Sequence, residues 1–229
     1  MYTYERKRAA YDHICGVHDA YTATLGLACH KGCAACCTIN VTATSLEACA
    51  IADHLERCED GSRLWDRLAA ARGRKRFAPG LTFNRMAESY RSGEPLPVEE
   101  SPDPSWGPCP LLTEDRCPVY EVRPFSCRCL VSTRPCQGEG AALMTPLTVT
   151  VNTVMHQYIE HVDHAGMSGN LTDLLLYMRP PENRDAYKMQ ERRELTKGFL
   201  PNAPATVLLA GPEDKERLAS ILYDLNRFQ

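Results

Sequence analysis

Apolar side chains recur along much of this chain at the three- and four-residue steps of amphipathic helices. A first helix is predicted over residues 4–27, where five apolar side chains share this spacing: Tyr4, Tyr11, Ile14, Tyr21 and Leu25. A second helix is predicted to begin at Thr44 and to run to about Cys58. Thr44 and Glu47 form the T-x-x-E pattern of a capping box at its start. A third helix is predicted to begin at Ser62 and to resume after Pro79.

The second half of the chain continues the helical pattern. One helix is predicted over residues 151–162, and a last one opens with Gly211 and Pro212, since proline is tolerated at the first helical position. Four apolar residues of this last helix are expected to be buried: Leu218, Ile221, Leu222 and Leu225. The proline-rich segment 93–110 predicts no regular element, and the segment 147–151 is the only strand candidate.

These patterns predict a mainly α fold, an irregular helical domain with little or no sheet, in which cysteine-rich loops converge on a metal centre. The domain organisation expected is a cysteine-rich metal-binding domain over residues 1–140 and a C-terminal helical region over residues 141–229. The two are expected to pack together as one unit.

Composition narrows the class of protein. The 229 residues carry a net charge of −3, which gives no basis for a nucleic acid or an anionic membrane as partner. No apolar run approaches a membrane span, and the N-terminal segment lacks the apolar core of a signal peptide. We therefore expect a cytoplasmic protein whose partner or substrate is another protein. The twelve cysteines are unusually many for such a protein.

The cysteines form two clusters, separated by a long stretch that contains only Cys49 and Cys58. Those two residues and Cys15 lie in helical patterns, where a lone cysteine is usually a small buried hydrophobe. The first cluster consists of Cys29, Cys33, Cys36 and Cys37, and Gly32 permits a tight turn before Cys33.

The spacing C-x3-C-x2-C of Cys29, Cys33 and Cys36 is the one with which radical S-adenosylmethionine enzymes hold a [4Fe–4S] cluster. The chain lacks the alternating strands and helices of those enzymes, which argues against that chemistry. Adjacent side chains usually diverge, so we expect only one of Cys36 and Cys37 to bind a given metal strongly. His30 is a weaker candidate ligand within this cluster.

The second cluster contains Cys109, Cys117 and Cys127 within the segment CPLLTEDRCPVYEVRPFSCRC. Together with the first cluster, this block resembles the YkgJ-like CxxCxxCC family, which is described as zinc- or iron-chelating. The matching residues of the second block are Cys109, Leu111, Leu112, Cys117, Val119, Tyr120, Arg123, Pro124, Cys127 and Arg128. The first gap here is three residues rather than two, and the resemblance covers residues 26–131. It implies a metal held by seven cysteines: Cys29, Cys33, Cys36, Cys37, Cys109, Cys117 and Cys127.

Other residues around the second block have less specific signals. Arg123 and Arg128 either lower the pKa values of nearby thiols or form ion pairs with Glu114, Asp115 or Glu121. Tyr120 is expected to pack against the site. Cys129 and Cys136 lie beyond the matched block and are optional ligands. A polar stripe on the helix 151–162, made by His156, Glu160 and His164, is expected to face solvent rather than to bind a metal.

Three functions remain open. The favoured one is a metal-binding protein that holds an iron–sulfur cluster, because seven thiolates exceed the four that complete one structural zinc site. The second is an enzyme acting through that centre on a protein substrate by methyl transfer or redox chemistry, since flagellin lysine methylases look similar in their cysteine blocks. The third is a protein-interaction module whose fold is stabilised by a structural zinc ion.

Overall fold

Helices dominate the described part of the chain, which confirms the predicted mainly α fold. The computed structural model describes residues 3–98, 100–136, 142–191 and 195–227. The α-helices are α1 (Tyr4–Thr22), α2 (Ser45–Arg57), α3 (Gly61–Ala70), α4 (Phe83–Ser92), α5 (Phe125–Arg128), α6 (Pro146–Val162), α7 (Leu171–Met178), α8 (Pro181–Lys188) and α9 (Lys215–Leu225). The strands are β1 (Thr42–Thr44), β2 (Met167–Asn170) and β3 (Leu200–Pro201), and short 3-10 turns lie at Pro104–Trp106, Tyr120–Val122 and Pro212–Asp214.

Helix α1 ends five residues before the predicted end at residue 27. Beyond Thr22 the backbone continues in single turns, in which the Thr24 amide and hydroxyl both donate to the Tyr21 carbonyl. A threonine side chain that bonds to a nearby carbonyl competes with the helical hydrogen-bond pattern. The chain therefore leaves the helix before it reaches the first cysteine cluster.

The start of α2 has the predicted capping box. The Thr44 hydroxyl accepts from the Glu47 amide, and the Glu47 carboxylate accepts from the Thr44 amide at 2.7 Å. The prediction that Ser62 caps the third helix is wrong, because α3 begins at Gly61. A side chain at Gly61 would lie 2.0 Å from the Leu55 carbonyl oxygen, so the tight turn between α2 and α3 requires glycine.

The small sheet was not predicted. Its order is β1-β2-β3 and both pairs are antiparallel, with Thr42 opposite Asn170 and Ser168 opposite Leu200. The segment 147–151, predicted as a strand candidate, instead belongs to α6, whose N-terminus is capped by the Thr145 side chain. The true strands are two to four residues long and too short for a visible apolar alternation.

Two groups of buried apolar side chains form the core. One joins α2, α3 and α7 to Leu111 and Val119 of the second cysteine block, and the other joins α1, α6 and α9 to Phe125. Helix α2 contributes to both, because Leu46 faces one group and Ile51 faces the other. Leu218, Ile221 and Leu225 of α9 are buried as predicted, whereas Leu222 is half-buried.

The buried carboxylate of Asp163, at the end of α6, connects several helices. It accepts hydrogen bonds from Lys7 at 3.0 Å, from Ser45 at 2.6 Å and from Tyr187 at 2.6 Å. Lys7 and Ser45 lie before residue 140 and Tyr187 lies after it, so the network crosses the predicted domain boundary. The division of the chain at residue 140 stays a prediction. None of the described helices combines the length and apolar character needed to cross a membrane.

Candidate metal centre

The two cysteine clusters are joined through their backbones. Thr38 and Pro108 form an antiparallel bridge, the Ile39 amide donates to the Gly107 carbonyl, and the Cys109 amide donates to the Cys37 carbonyl at 3.0 Å. Cys37 and Cys109, the last thiol of one cluster and the first of the other, are therefore on directly paired segments.

Tight turns shape the first cluster. Gly32 has a φ of 93°, as its position before Cys33 predicted, and the Cys33 amide donates to the His30 carbonyl. A second turn follows, in which the Cys37 amide donates to the Ala34 carbonyl. The two turns bend the segment back on itself, so that thiols several residues apart reach the same cavity.

The second cluster is shaped by a hairpin between Cys109 and Cys117. Thr113 and Arg116 exchange two backbone hydrogen bonds, and Glu114 and Asp115 between them have φ values of 48° and 57°. Two successive residues with positive φ are typical of a type I′ turn. Arg67 of α3 donates to the Thr113 hydroxyl and to the Leu112 carbonyl, which fixes the hairpin against the helical core.

Cys127 lies on the short helix α5, which is held by a buried carboxylate. The Glu47 side chain accepts from the Phe125 amide at 2.7 Å, in addition to its bonds within the capping box. The Tyr11 hydroxyl donates to the Arg123 carbonyl just before this helix. The turn that carries Cys127 is thus bonded to both α1 and α2.

These contacts bring all seven predicted cysteines to the wall of one cavity of about 230 Å³. Cys29 and Cys33 are exposed, and the other five are half-buried. We call this space the cysteine cavity. Its other lining residues include His18, Asp19, His30, Tyr120, Arg123 and Arg128.

The thiols share a cavity without converging on one point. All twelve cysteines are free, and in the described ranges no three histidine, cysteine, aspartate or glutamate side chains are arranged to hold a metal ion. The donor set itself suits a soft or borderline metal, because thiolate sulfur binds zinc and iron–sulfur centres well. The structure is therefore compatible with metal binding, although the side chains of the described residues are not yet arranged around a single metal position.

Burial favours the protonated form of several thiols of the cavity. Burial raises the pKa values of Cys109, Cys117 and Cys127, and for Cys127 the neighbouring sulfurs of Cys109, Cys117 and Cys36 raise it further. A hydrogen bond with Cys37 raises the pKa of Cys36. With these raised pKa values, a metal must displace protons to bind.

The two arginines lower the pKa values of nearby thiols as predicted, Arg128 that of Cys15 and Arg123 that of Cys117, but their ion pairs differ from the predicted ones. Burial raises the pKa of both thiols more than the arginines lower it. Arg123 stacks on the Tyr120 ring with its guanidinium 3.8 Å from the ring centre, and Arg128 pairs with Asp19 at 3.0 Å. Glu121 pairs with Lys31. The predicted ion pairs with Glu114, Asp115 or Glu121 are not the contacts that these arginines make.

His18, at the end of α1, is a cavity residue that the sequence did not indicate. It is 1% exposed, and its ring packs edge-on against Phe125 with centres 5.0 Å apart. Burial lowers its pKa, so the ring is neutral. No local spacing connects residue 18 to the cysteines, because α1 reaches the cavity through contacts with distant segments, such as its packing on α6 and the pair of Asp19 with Arg128.

The stripe of His156 and Glu160 on α6 does not face solvent, contrary to the prediction. Glu160 is 2% exposed and accepts from the backbone amides of Asn84 and Ala203, both at 2.8 Å. His156 stacks on Phe83 with ring centres 4.5 Å apart. Only His164 is exposed. Helix α4 covers this face, and the amphipathic pattern of α6 alone does not show that.

A second cavity adjoins the cysteine cavity, and a third adjoins the second. The second, of about 430 Å³, shares Cys36, Val41 and Leu130 with the cysteine cavity, and Cys129 and Cys136 line this second space instead. The third, of about 180 Å³, is mainly apolar and shares Thr42, Phe77, Ser126 and His156 with the second. Cys129 is 3.6 Å from the His156 ring.

Comparison with known proteins gives no relative. No family model matches the chain, and neither the curated proteins nor the solved structures contain a match. The resemblance to the CxxCxxCC family therefore stays a prediction based on the two cysteine blocks.

Proposed function

We propose that this protein binds a metal through cysteines of both clusters in the cysteine cavity. The observation that supports the proposal most strongly is that seven cysteines from two distant segments line one cavity. Cysteines that serve only as small buried hydrophobes would lie dispersed in the core, as Cys15 and Cys49 do. Metal binding would draw the sulfurs together, because such sites commonly form only with the metal present.

The proposed metal is iron in an iron–sulfur cluster, with zinc as the alternative. One structural zinc ion uses four ligands, and seven thiols exceed that number. Besides burial, the charges of Cys109, Cys117 and Cys36 raise the pKa of Cys127, and this influence of thiols from both clusters supports a site with ligands from both. A protein purified without oxygen should be brown if it holds an iron–sulfur cluster and colourless with bound zinc if it does not.

The test is the metal content per folded chain in serine variants purified anaerobically. Cys33→Ser, Cys36→Ser and Cys127→Ser should each lose most of the metal, since a hydroxyl is a poor ligand of similar volume. Cys49→Ser and Cys58→Ser are the controls, because both residues lie on or beside α2 outside the cavity. Full metal in the three cavity variants, or equal loss in the controls, would show that no such site exists.

A second candidate is an enzyme that works through the same centre on a protein substrate. The adjoining cavity of about 430 Å³, which shares Cys36 with the cysteine cavity, favours it. Catalytic metal sites keep an open coordination position, whereas structural sites are closed. Adding cyanide to the cobalt(II)-loaded protein, whose d–d absorption reports the coordination of the metal, distinguishes the two: a changed absorption spectrum supports an enzyme with an open position, and an unchanged spectrum supports a closed structural site.

A further inference from the structure

The imidazole of His18 has one ring nitrogen whose role is already fixed by its neighbours. Nε2 lies 3.1 Å from Oδ1 of Asn152. The Nδ2 group of Asn152 donates to the Cys129 carbonyl at 2.9 Å, which identifies the opposite atom of this amide as the oxygen. Nε2 must therefore carry the proton and donate it to Asn152.

The other nitrogen, Nδ1, carries a lone pair and is buried. It has no hydrogen-bond partner within the described part of the chain. Its nearest charged neighbour is Oδ1 of Asp19, at 4.0 Å, and the Asp19 carboxylate already accepts from Arg128 through both oxygens at 3.0 Å. A buried acceptor without a partner is unfavourable, so this atom needs an explanation.

His18 lines the cysteine cavity, and its environment is that of a metal-binding histidine. Such a residue usually donates its second ring N–H to an oxygen, which fixes the tautomer and the ring orientation. Asn152 provides that oxygen and Phe125 fixes the ring plane from one side. Within the described part of the chain, nothing binds to the Nδ1 lone pair in this arrangement, so it is free to bind a metal.

We infer that His18 supplies a nitrogen ligand, through Nδ1, to the metal of the cysteine cavity. This inference rests on the proposed function, and it makes the ligand set mixed sulfur and nitrogen instead of sulfur alone. Asn152 is the positioning residue that keeps Nδ1 unprotonated and oriented.

The test uses the full chain, labelled with ¹⁵N in its histidines and loaded with ¹¹³Cd²⁺ alone under anaerobic conditions. We expect a scalar coupling between the cadmium and Nδ1 of a single imidazole, with its Nε2 still protonated. This measurement needs no variant, so it does not depend on how well a substituted chain folds. If cadmium binds through sulfur alone, the proposed function stands and the role of His18 is refuted. If cadmium does not bind at all, both are refuted.

Three variants then identify the histidine. His18→Gln should abolish the coupling and weaken cadmium binding by at least about tenfold, since even losing the partner of a ligating histidine typically costs that much. His30→Gln and His156→Gln should keep the coupling. His30 is the other cavity histidine, and His156 is a histidine of α6 outside the cysteine cavity. If His30→Gln abolishes the coupling and His18→Gln keeps it, the assignment to His18 is wrong.

Asn152 gives a separate readout of positioning. Asn152→Asp keeps an oxygen that accepts from Nε2 and should keep the coupling, whereas Asn152→Leu should weaken cadmium binding about 10- to 100-fold. Equal effects of these two substitutions would contradict the positioning role.

Discussion

At the scale of single residues, the carboxylate of Glu47 connects a helix cap to the candidate site. Its oxygens accept from the Thr44 amide and hydroxyl and from the Phe125 amide, and the side chain is 3% exposed. The capping box was predictable from the T-x-x-E pattern. The bond to Phe125 was not, because it joins residues 78 positions apart and no local spacing encodes it.

Glu47→Ala should lower the free energy of unfolding by about 3 kcal/mol or more, because it leaves buried amides of Thr44 and Phe125 without acceptors. Urea unfolding of the metal-free protein measures this. Glu56→Ala is the matched control on the same helix: its exposed side chain pairs with Arg184 at 3.5 Å, so the loss should stay below about 1 kcal/mol. Similar losses in the two variants would show that Glu47 has no special role.

At the scale of elements, the apolar periodicity of α6 predicted only one of the two faces that the helix packs against its neighbours. Its apolar residues Val151, Val154 and Met155 face the core as the periodicity predicted. The opposite stripe is partly covered as well, because α4 packs over it: Glu160 is buried, and His156 is half-buried with Phe83 stacked on its ring. The hydrophobic pattern of a helix identifies the face that packs on the apolar core. A second face that is covered by hydrogen-bonded polar side chains contains few apolar residues, so the pattern does not reveal it.

The burial of His156 predicts a loss of stability in acid. Burial lowers the pKa of this imidazole from 6.5 to about 3, so between these values the unfolded chain binds a proton that the folded protein does not. The free energy of unfolding should therefore fall as the pH decreases below about 6.5. At pH 5 the contribution of this group is about 2 kcal/mol.

The measurement is urea unfolding of the metal-free protein at pH 7.5 and at pH 5, in the wild type and in His156→Gln. The substitution should reduce the difference between the two pH values by about 2 kcal/mol. His164→Gln, which changes an exposed histidine of the same region, should leave that difference unaltered. An unchanged difference in His156→Gln would mean that the ring is protonated in the folded protein.

Helix α9 packs on α1 far from the cysteine cavity, so it should contribute stability without affecting the metal. Leu218 is 1% exposed, and Leu218→Ala should cost about 2–5 kcal/mol. Tyr223→Ala, at a position 68% exposed on the same helix, should cost less than about 0.5 kcal/mol. Metal per folded chain should be unchanged in both variants, and its loss in Leu218→Ala would show that α9 supports the site.

At the scale of the whole molecule, the metal should stabilise the fold, because its ligands lie in segments that pack on different parts of the core. A metal present at about a thousand times its dissociation constant adds about 4 kcal/mol. For a chain of this size that raises the melting temperature by about 10 °C. Calorimetry before and after verified metal removal tests this, and an identical melting curve would rule out a metal that bridges the two clusters.

The sequence predicted the composition of the candidate site better than its geometry. The seven cysteines were named from the resemblance of their two blocks to a family pattern, and they line one cavity. The backbone bridge between Thr38 and Pro108, the positive-φ hairpin at Glu114 and Asp115, and the approach of His18 depend on contacts between distant residues. Such contacts follow from the packing of whole elements, which local patterns do not contain.

The central claim is that cysteines from both clusters bind one metal centre, and residue-resolved alkylation tests it most directly. The metal-free and metal-loaded proteins are treated with iodoacetamide without oxygen, and the modified cysteines are mapped by mass spectrometry. The exposed Cys29 and Cys33 should react fastest in the metal-free protein. The half-buried Cys109, Cys117 and Cys127 should react more slowly, because their raised pKa values leave less thiolate. The metal should protect all five. Cys58, half-buried outside the cavity, should react equally in both. Protection confined to one cluster, or absent from both, would contradict the account.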